Sequence, residues 1–249
     1  MFKIKYSLAI LLFLTGFNQV SFAQPDDEYN DLLFLYVDGK YEKCIDKAMN
    51  YIEDDDTRRD PMPYIYVSQA YYEMSKLQEY DEDYPRAFRD AIKFAVKYRK
   101  KDKTGDYLEE NSEYIDNLKI QTFEMADNYY QTGKYTKAKT YFKYLTGMDP
   151  TDWGSWLLRG VTETRLNMRS EAELSLSKGI EGVRNIDEGT FDEYLEGEKM
   201  LLKTGIIYYA DYMKEIGKVP EALDLVKEGN TYFDGDNEYK IMYDEMIRG

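Results

Sequence analysis

The chain alternates between amphipathic stretches, whose apolar residues recur at helical spacing, and short polar turns. One turn motif occurs three times. In each copy a glycine and a lysine separate two amphipathic stretches, and a small residue follows five positions after the glycine. Glycine can adopt the left-handed conformation that ends a helix, and a small residue lets the next helix pack closely. The pattern therefore predicts helical hairpins, with turn glycines and small residues at Gly39 and Cys44, Gly133 and Ala138, and Gly217 and Ala222.

The middle turn recurs along the chain at an offset of 34 residues. Gly133, Ala138 and Phe142 of the first copy correspond to Asn167, Ala172 and Leu176 of the second. Asparagine is the commonest residue after glycine in left-handed backbone, so the second copy keeps the same turn. A fixed period of this length is typical of stacked helical hairpins. We therefore expect an all-α fold with no sheet.

The same pattern predicts about ten or eleven helices between the mature N-terminus and the end of the chain. Proline in a first turn, and aspartate or threonine caps, support several of the starts. The insertion after Asn185 lengthens the first helix of the following hairpin. The predicted ranges are 29–37, 41–52, 61–74, 84–98, a long helix from 104–106 to 131, the two best-formed repeats at 119–152 and 153–186, then 190–216, 219–229 and a capping helix from 234 to 247.

The first 23 residues have the composition of a secretory signal peptide. Lys3 and Lys5 precede an apolar run, Leu8 to Leu14, and Ser21-Phe22-Ala23 forms a small-x-small cleavage site. The apolar run is too short to span a bilayer. We predict an exported mature protein, residues 24–249, with the periplasm as its location and full secretion as the alternative.

Composition excludes several classes of function. The formal net charge is −15, and such a surface repels nucleic-acid backbones and anionic lipids. The chain has no histidine, so Ser-His-Asp and Cys-His mechanisms and the usual zinc sites are excluded. Its single cysteine, Cys44, stands where other hairpins carry alanine, and we expect a buried small residue. We predict no enzyme activity, cofactor, metal, nucleic acid or membrane insertion.

Residues 119–152 resemble a tetratricopeptide repeat. The residues that carry the resemblance are Met125-Ala126, Tyr129, Gly133, Tyr135, Ala138, Phe142 and Pro150, and the next repeat adds Trp156 and Gly160. Arg159 and Glu163 replace the leucine and tyrosine of that family's pattern. The resemblance implies a right-handed superhelix of about five hairpins with a C-terminal capping helix, and Trp156 as a core residue.

The resemblance also implies a concave groove, lined by the first helix of each hairpin, that holds a protein or peptide. Phe123, Tyr130 and Leu157 would be its apolar anchors. Asp127 and Asp211 would favour a basic or mixed segment with an apolar anchor. The family's carboxylate clamp is not inherited, since Phe123 and Asp127 stand where it needs Lys and Asn. The predicted groove residues are Tyr72, Phe123, Asp127, Tyr130, Gln131, Leu157, Val161, Thr164, Arg165, Ile207, Asp211 and Lys214, with Ile120 and Glu215 beside them.

Three alternatives compete with a protein-binding groove. Abundant tyrosine, 26 residues in all, and a free Trp153 would also suit carbohydrate binding. Paired carboxylates could hydrolyse glycosides, although with 48 acidic residues chance proximity is guaranteed. Asp234, Asp236 and Glu238 partly match a calcium loop, and a helix cap explains them better. A scaffold of the bacterial envelope that binds a protein partner is the favoured hypothesis.

Overall fold

The computed structural model describes residues 29–105 and 109–248, and within these two ranges the chain is helical without a strand. The all-α prediction is therefore confirmed. A 3₁₀ turn at Gln78–Tyr80 lies between α3 and α4. Twelve α-helices lie within these ranges: α1 (Asn30–Val37), α2 (Tyr41–Glu53), α3 (Met62–Met74), α4 (Ala87–Lys101), α5 (Ser112–Gln131), α6 (Tyr135–Met148), α7 (Trp153–Arg165), α8 (Arg169–Arg184), α9 (Glu188–Glu193), α10 (Glu196–Glu215), α11 (Val219–Phe233) and α12 (Asn237–Arg248).

The four predicted turns all adopt left-handed backbone. Gly39, Gly133 and Gly217 have φ values of 71°, 72° and 71°, and Asn167 has a φ of 58°. After Gly133, the backbone N–H of Lys134 donates to the Tyr129 carbonyl at 2.8 Å, which satisfies a carbonyl of the last turn of α5. The other turns repeat this bond, so the period read from the sequence reflects one repeated backbone geometry.

The small residue after each turn is buried where two helices of a hairpin meet. Ala138 and Ala222 are fully buried, and Ala172 is 3% exposed. Cys44 is fully buried as well, and its thiol lies 3.6 Å from the Leu32 carbonyl of α1. The prediction that Cys44 replaces the alanine of other hairpins is confirmed.

The helices pack as successive hairpins, α1 with α2, α3 with α4, α5 with α6, α7 with α8 and α10 with α11. Neighbouring hairpins contact one another along the array, as α2 does with α3, α6 with α7 and α7 with α10. The last helix, α12, packs against both α11 and α10. The chain is an α-solenoid, with hydrophobic clusters that follow one another along its length.

Several helix boundaries differ from the prediction: the long helix predicted from 104–106 is α5, which begins at Ser112, α4 ends at Lys101 rather than Tyr98, and α11 continues to Phe233. The predicted helix 190–216 is two helices, α9 and α10, separated at Tyr194 and Leu195. A carboxylate oxygen of Glu198 accepts the Leu195 backbone N–H at 2.8 Å, which caps α10. The predicted helix 84–98 begins instead at Ala87, because Pro85 disfavours helical backbone at Tyr84 and Arg86 has non-helical backbone, with φ of −120° and ψ of 11°.

The last helix begins with a side-chain cap. A carboxylate oxygen of Asp236 accepts the backbone N–H of Tyr239 at 2.9 Å. The other carboxylate oxygen of Asp236 lies 2.9 Å from Nζ of Lys203, so this aspartate has both a capping and an ionic partner. The residues of the possible calcium loop therefore form a helix start, as the favoured interpretation predicted.

Two glycines allow α7 and α10 to touch backbone to backbone. A Cβ atom on Gly154 would lie 2.1 Å from the carbonyl oxygen of Leu201, and one on Gly205 would lie 2.5 Å from the carbonyl oxygen of Gly154. This close approach brings α10 alongside α7 and within contact of α5. We call α5, α7 and α10 the first-helix layer, because each opens its hairpin.

The tryptophans and the charged pair of the second repeat are all accommodated by packing. Trp156 is 9% exposed and its indole N–H donates to the Pro150 carbonyl at 3.0 Å. Trp153 is half-buried, and its ring packs against Gly182 of α8. Arg159 Nε donates to the buried Glu163 at 2.8 Å, which pairs the two charges that depart from the repeat pattern.

Candidate functional site

The middle of the predicted groove is closed by direct contact between α5 and α10. Leu201 of α10 packs in one cluster with Ile115 and Leu118 of α5. Further along, the Tyr208 hydroxyl donates to a carboxylate oxygen of Asp127. The expectation of an open groove along the whole layer is therefore wrong in its middle part, because α10 passes so close to α7 that it reaches α5.

Three of the predicted groove residues have no surface for a partner. Leu157 and Val161 are fully buried, since α7 is covered by α6, α8 and α10. Tyr72 of α3 is 8% exposed and packs edge-to-face against Tyr114 at 5.7 Å between ring centroids. The assignment of Leu157 as an apolar anchor is thus wrong, because its side chain belongs to the core between hairpins.

A cleft remains open where the three helices of the layer end. Its volume is about 190 Å³, and we call it the tyrosine cleft. The rings of Tyr130 and Tyr208 meet at 4.9 Å between centroids, and the guanidinium of Arg165 lies 5.2 Å from the Tyr212 ring. The lining residues are Tyr130, Gln131, Arg165, Tyr208, Asp211 and Tyr212.

The layer brings these residues together because its helices run parallel and end at the same level. Tyr130 and Gln131 lie in the last turn of α5, Arg165 is the last residue of α7, and Tyr212 lies in the last turn of α10. Four predicted groove residues, Tyr130, Gln131, Arg165 and Asp211, therefore meet at one place, although they are up to 81 positions apart.

A bidentate ion pair holds one wall of the cleft. Arg165 donates from both terminal nitrogens to the carboxylate of Glu215, with one N–O distance of 2.6 Å, and its Nε lies 3.4 Å from the Tyr130 hydroxyl. The hydrogen bond from Arg165 lowers the pKa of Glu215. The same pair raises the pKa of Arg165, so both groups stay charged at neutral pH.

Two aspartates near the cleft are less readily ionised than free aspartate. Desolvation raises the pKa of Asp127, and the hydrogen bond from Gln131 opposes part of that shift. Desolvation also raises the pKa of Asp211, while the charge of Lys214 lowers it. Asp211 has no ion-pair partner within the described residues, so its charge remains available at the cleft rim.

The remaining predicted residues do not line the cleft. Phe123 is half-buried and faces Phe142 at 6.5 Å between centroids, and Ile207 packs against the core of the last hairpins. Thr164 donates its hydroxyl to the Val161 carbonyl of its own helix. Lys214 is exposed and pairs with Glu245 of α12 at 2.6 Å. Ile120, also half-buried, lies one residue after the buried Lys119.

Sequence reasoning missed two cleft residues, Tyr208 and Tyr212. The predicted register on α10 placed Ile207 and Asp211 in the groove, and the face that lines the cleft is rotated so that Tyr208 and Tyr212 join Asp211. The repeat register assigns to the groove the residues ten, six, three and two positions before each turn, whereas Tyr208 and Tyr212 lie nine and five positions before Gly217, on the adjacent strip of the helix. The signal that was available is the spacing of four between the two tyrosines, which places both rings on one helix face.

Within the described residues, no group of three or more acidic or cysteine side chains is arranged to hold a metal ion. None of the described helices combines the length and the apolar character that a membrane span requires. The residues that line the tyrosine cleft offer aromatic rings, hydroxyl groups and charges for recognition.

Comparison with known proteins finds a loose structural likeness. Neither models of known protein families nor curated proteins match the chain. Among solved structures, the chain is similar to one in the TPR2AB domain–pHSP90 complex of yeast Sti1, with a TM-score of 0.34 and 15% sequence identity, over 88% of this chain and 83% of that one. This TM-score is low, so the fold described above rests on the chain's own helices and contacts, and membership of the tetratricopeptide-repeat family stays a prediction.

Proposed function

We propose that this chain is a non-enzymatic scaffold that binds a protein or peptide partner at the tyrosine cleft. The observation that carries the proposal is the meeting of Tyr130, Tyr208 and Tyr212 at the ends of the first-helix layer. Tyrosine supplies a large contact area with a polar tip and loses little conformational entropy on binding, and it is enriched at interface hot spots.

The size of the cleft favours a side chain of a partner over a free small molecule. Pockets for drug-sized ligands have volumes of about 300–1,000 Å³. The tyrosine cleft has about 190 Å³ and is open to solvent at its rim. It therefore suits one anchoring side chain, with the rest of the partner lying across the exposed ends of α5, α7 and α10.

The charges around the cleft favour a basic or mixed segment. Arg165 is neutralised by Glu215, and Lys214 by Glu245. Asp211 forms no ion pair within the described residues, and the chain as a whole has a net charge of −15. A negative rim accelerates the approach of a positive partner and discourages a negative one.

The experiment is to select binding partners and then to truncate the cleft. Peptides that bind the mature chain are selected from a displayed library, and their affinities are measured for Tyr212→Ala and Tyr130→Ala. If these tyrosines are hot spots, each truncation to alanine should weaken the binding free energy by about 2 kcal/mol or more, which is about a thirtyfold loss of affinity. Asp211→Asn should slow association with basic peptides and reduce the dependence on salt.

The matched control is Tyr66→Ala. Tyr66 is a half-buried tyrosine of α3 that packs against the first hydrophobic cluster, far along the chain from the cleft. Each variant must keep the wild-type helical signal in circular dichroism. If folded Tyr212→Ala and Tyr130→Ala bind every selected peptide as tightly as Tyr66→Ala does, the binding site is not the tyrosine cleft.

We also propose that the partner is met outside the cytoplasm. The signal-peptide residues 1–23 lie outside the described part of the chain, and the proposal rests on their charge and hydrophobic pattern. Fractionation of the expressing cell, followed by N-terminal sequencing, should find a mature protein that starts near Gln24 in the envelope or the medium. A native protein that starts at Met1 in the cytoplasm would contradict the location.

A further inference from the structure

A second, larger cavity lies at the opposite end of the first-helix layer. It is formed by the beginning of α5, the turn between α6 and α7, and the junction of α9 with α10, and its volume is about 370 Å³. We call it the acidic cavity. Its charged lining consists of Glu109, Asp116, Lys119, Asp149, Glu193 and Glu198.

Among the described lining residues one carries an ammonium, Lys119, and this group is already paired with carboxylates. Lys119 is 2% exposed, and its Nζ lies 2.9 Å from Asp149, 3.2 Å from Asp152 and 3.8 Å from Glu198. These carboxylates raise the pKa of Lys119 despite its burial, so the group is charged. The Lys119 ammonium therefore pairs with three buried or half-buried carboxylates, those of Asp149, Asp152 and Glu198. The other described carboxylates that line the cavity form no ion pair with it.

Asp116 also lines the cavity, and it forms no ion pair within the described residues. The residue is 8% exposed. One carboxylate oxygen accepts the Gly197 backbone N–H at 2.9 Å, and the other is buried with no hydrogen-bond partner. A buried charged acceptor left unpaired costs more than the roughly 1–3 kcal/mol of a neutral one, so the folded protein gains from a donor placed there.

The rim of the cavity adds further negative charge. Glu109 and Glu193 line it, both are exposed, and neither forms an ion pair within the described residues. A cavity with a buried unpaired carboxylate at its wall and two free carboxylates at its mouth attracts and orients a cation.

We propose that the acidic cavity binds a small organic cation whose ammonium or guanidinium group donates to Asp116 and to the glutamates at the mouth. The volume of about 370 Å³ falls within the range of small-molecule sites. A bound metal ion fits poorly, because no three acidic side chains of the described residues are arranged to hold one, and the Lys119 ammonium already lies among the nearest carboxylates. The proposal is independent of the tyrosine cleft, which shares no residue with this cavity.

Agmatine is a suitable probe, because it carries an ammonium and a guanidinium on one short chain. Its binding to the mature chain is measured by calorimetry, with 1,4-butanediol as the neutral control and Mg²⁺ and Ca²⁺ as competing cations. We expect saturable binding of agmatine that weakens as salt is added. Asp116→Asn and Glu193→Gln should each lower the affinity about tenfold or more, the loss expected for one charge-assisted hydrogen bond.

Two controls separate the site from general electrostatic attraction and from misfolding. Glu171→Gln removes one charge from an exposed position of α8 and should leave agmatine binding unchanged within about twofold. Asp116→Asn keeps an oxygen that can accept the Gly197 N–H, and Glu193 is exposed, so at least the second variant should fold normally. Tyr212→Ala should bind agmatine as the wild type does, which keeps this test separate from that of the tyrosine cleft.

Several results would overturn the proposal. One is no saturable binding of agmatine up to about 5 mM, which would place any affinity below the useful range. Another is equal loss in Glu171→Gln and in Glu193→Gln. A third is tight binding of Mg²⁺ or Ca²⁺ that excludes agmatine, since that would define a metal site. A fourth is binding of a capped Gly-Arg-Gly peptide without binding of agmatine, since that would define a site for a partner's side chain.

Discussion

The contact between α7 and α10 makes a prediction in which helix propensity and packing disagree in sign. Gly154 lies in the first turn of α7. Alanine is more favourable than glycine in a helix by up to about 0.8–1.0 kcal/mol, so propensity alone predicts that Gly154→Ala stabilises the protein. In the structure, however, the added Cβ would lie 2.1 Å from the Leu201 carbonyl oxygen, 2.3 Å from the Leu201 carbonyl carbon and 2.5 Å from the Leu202 nitrogen.

All three of these atoms belong to backbone, which cannot move aside as a flexible side chain can. Overpacking a close-packed interior costs about 1–3 kcal/mol and sometimes more, and a clash with backbone belongs at the upper end. After the propensity gain is subtracted, we expect Gly154→Ala to lower the free energy of unfolding by about 2 kcal/mol. In a domain of this size that corresponds to a fall in melting temperature of about 4–8 °C.

The control is Gly147→Ala in α6, another glycine inside a helix. Its added Cβ would meet the side chain of Val96 at 3.1 Å, and that side chain can shift. We therefore expect a change within about 1 kcal/mol of wild type. Urea unfolding followed by circular dichroism measures both variants. Equal or higher stability of Gly154→Ala would refute the backbone contact, and with it the closure of the predicted groove by α10.

Three further predictions concern single buried side chains. Trp156→Ala should cost about 3–5 kcal/mol, the range for a large buried aromatic, and an unchanged melting temperature would show that the register of the central repeats is wrong. Lys119→Met should also cost about 3–5 kcal/mol, because it leaves buried carboxylates without a counter-charge; a loss below about 1 kcal/mol in urea unfolding would contradict the ion cluster. Burial raises the pKa of Cys44 to about 12, so a thiol reagent at neutral pH should label it only after unfolding, and rapid labelling of the native protein would disagree.

Much of the fold could be predicted from the sequence because its signals are local. A glycine or asparagine at the end of an amphipathic stretch fixes left-handed backbone within a few residues, and all four such turns appear where predicted. The small residues that follow are buried for the same reason, since they lie at a constant distance from the turn. Aspartate caps act over three residues, as Asp236 does at α12.

The site could be predicted only in part. Tyr130 and Arg165 were placed on facing helices by the 34-residue offset, and the structure brings them to one cleft. Leu157 was taken for an anchor because its register matched, yet whether a helix face is open depends on its neighbours. Tyr208 and Tyr212 lie nine and five residues before Gly217, next to the positions that the repeat register assigns to the groove, so only the packing angle of α10 decided that they enter the cleft.

The sequence by itself determined that the chain is helical, where the hairpin turns at Gly39, Gly133, Asn167 and Gly217 fall, and which chemistry is absent because the chain contains no histidine. Those properties follow from neighbours along the chain. Only the tertiary structure decided that the backbones of Gly154 and Gly205 touch, that α10 therefore reaches α5, and that the layer is open at its two ends rather than along its length. Contacts between residues about 80 positions apart, such as Asp116 with Gly197, depend on the summed angles of several helix crossings, and no local pattern encodes that sum.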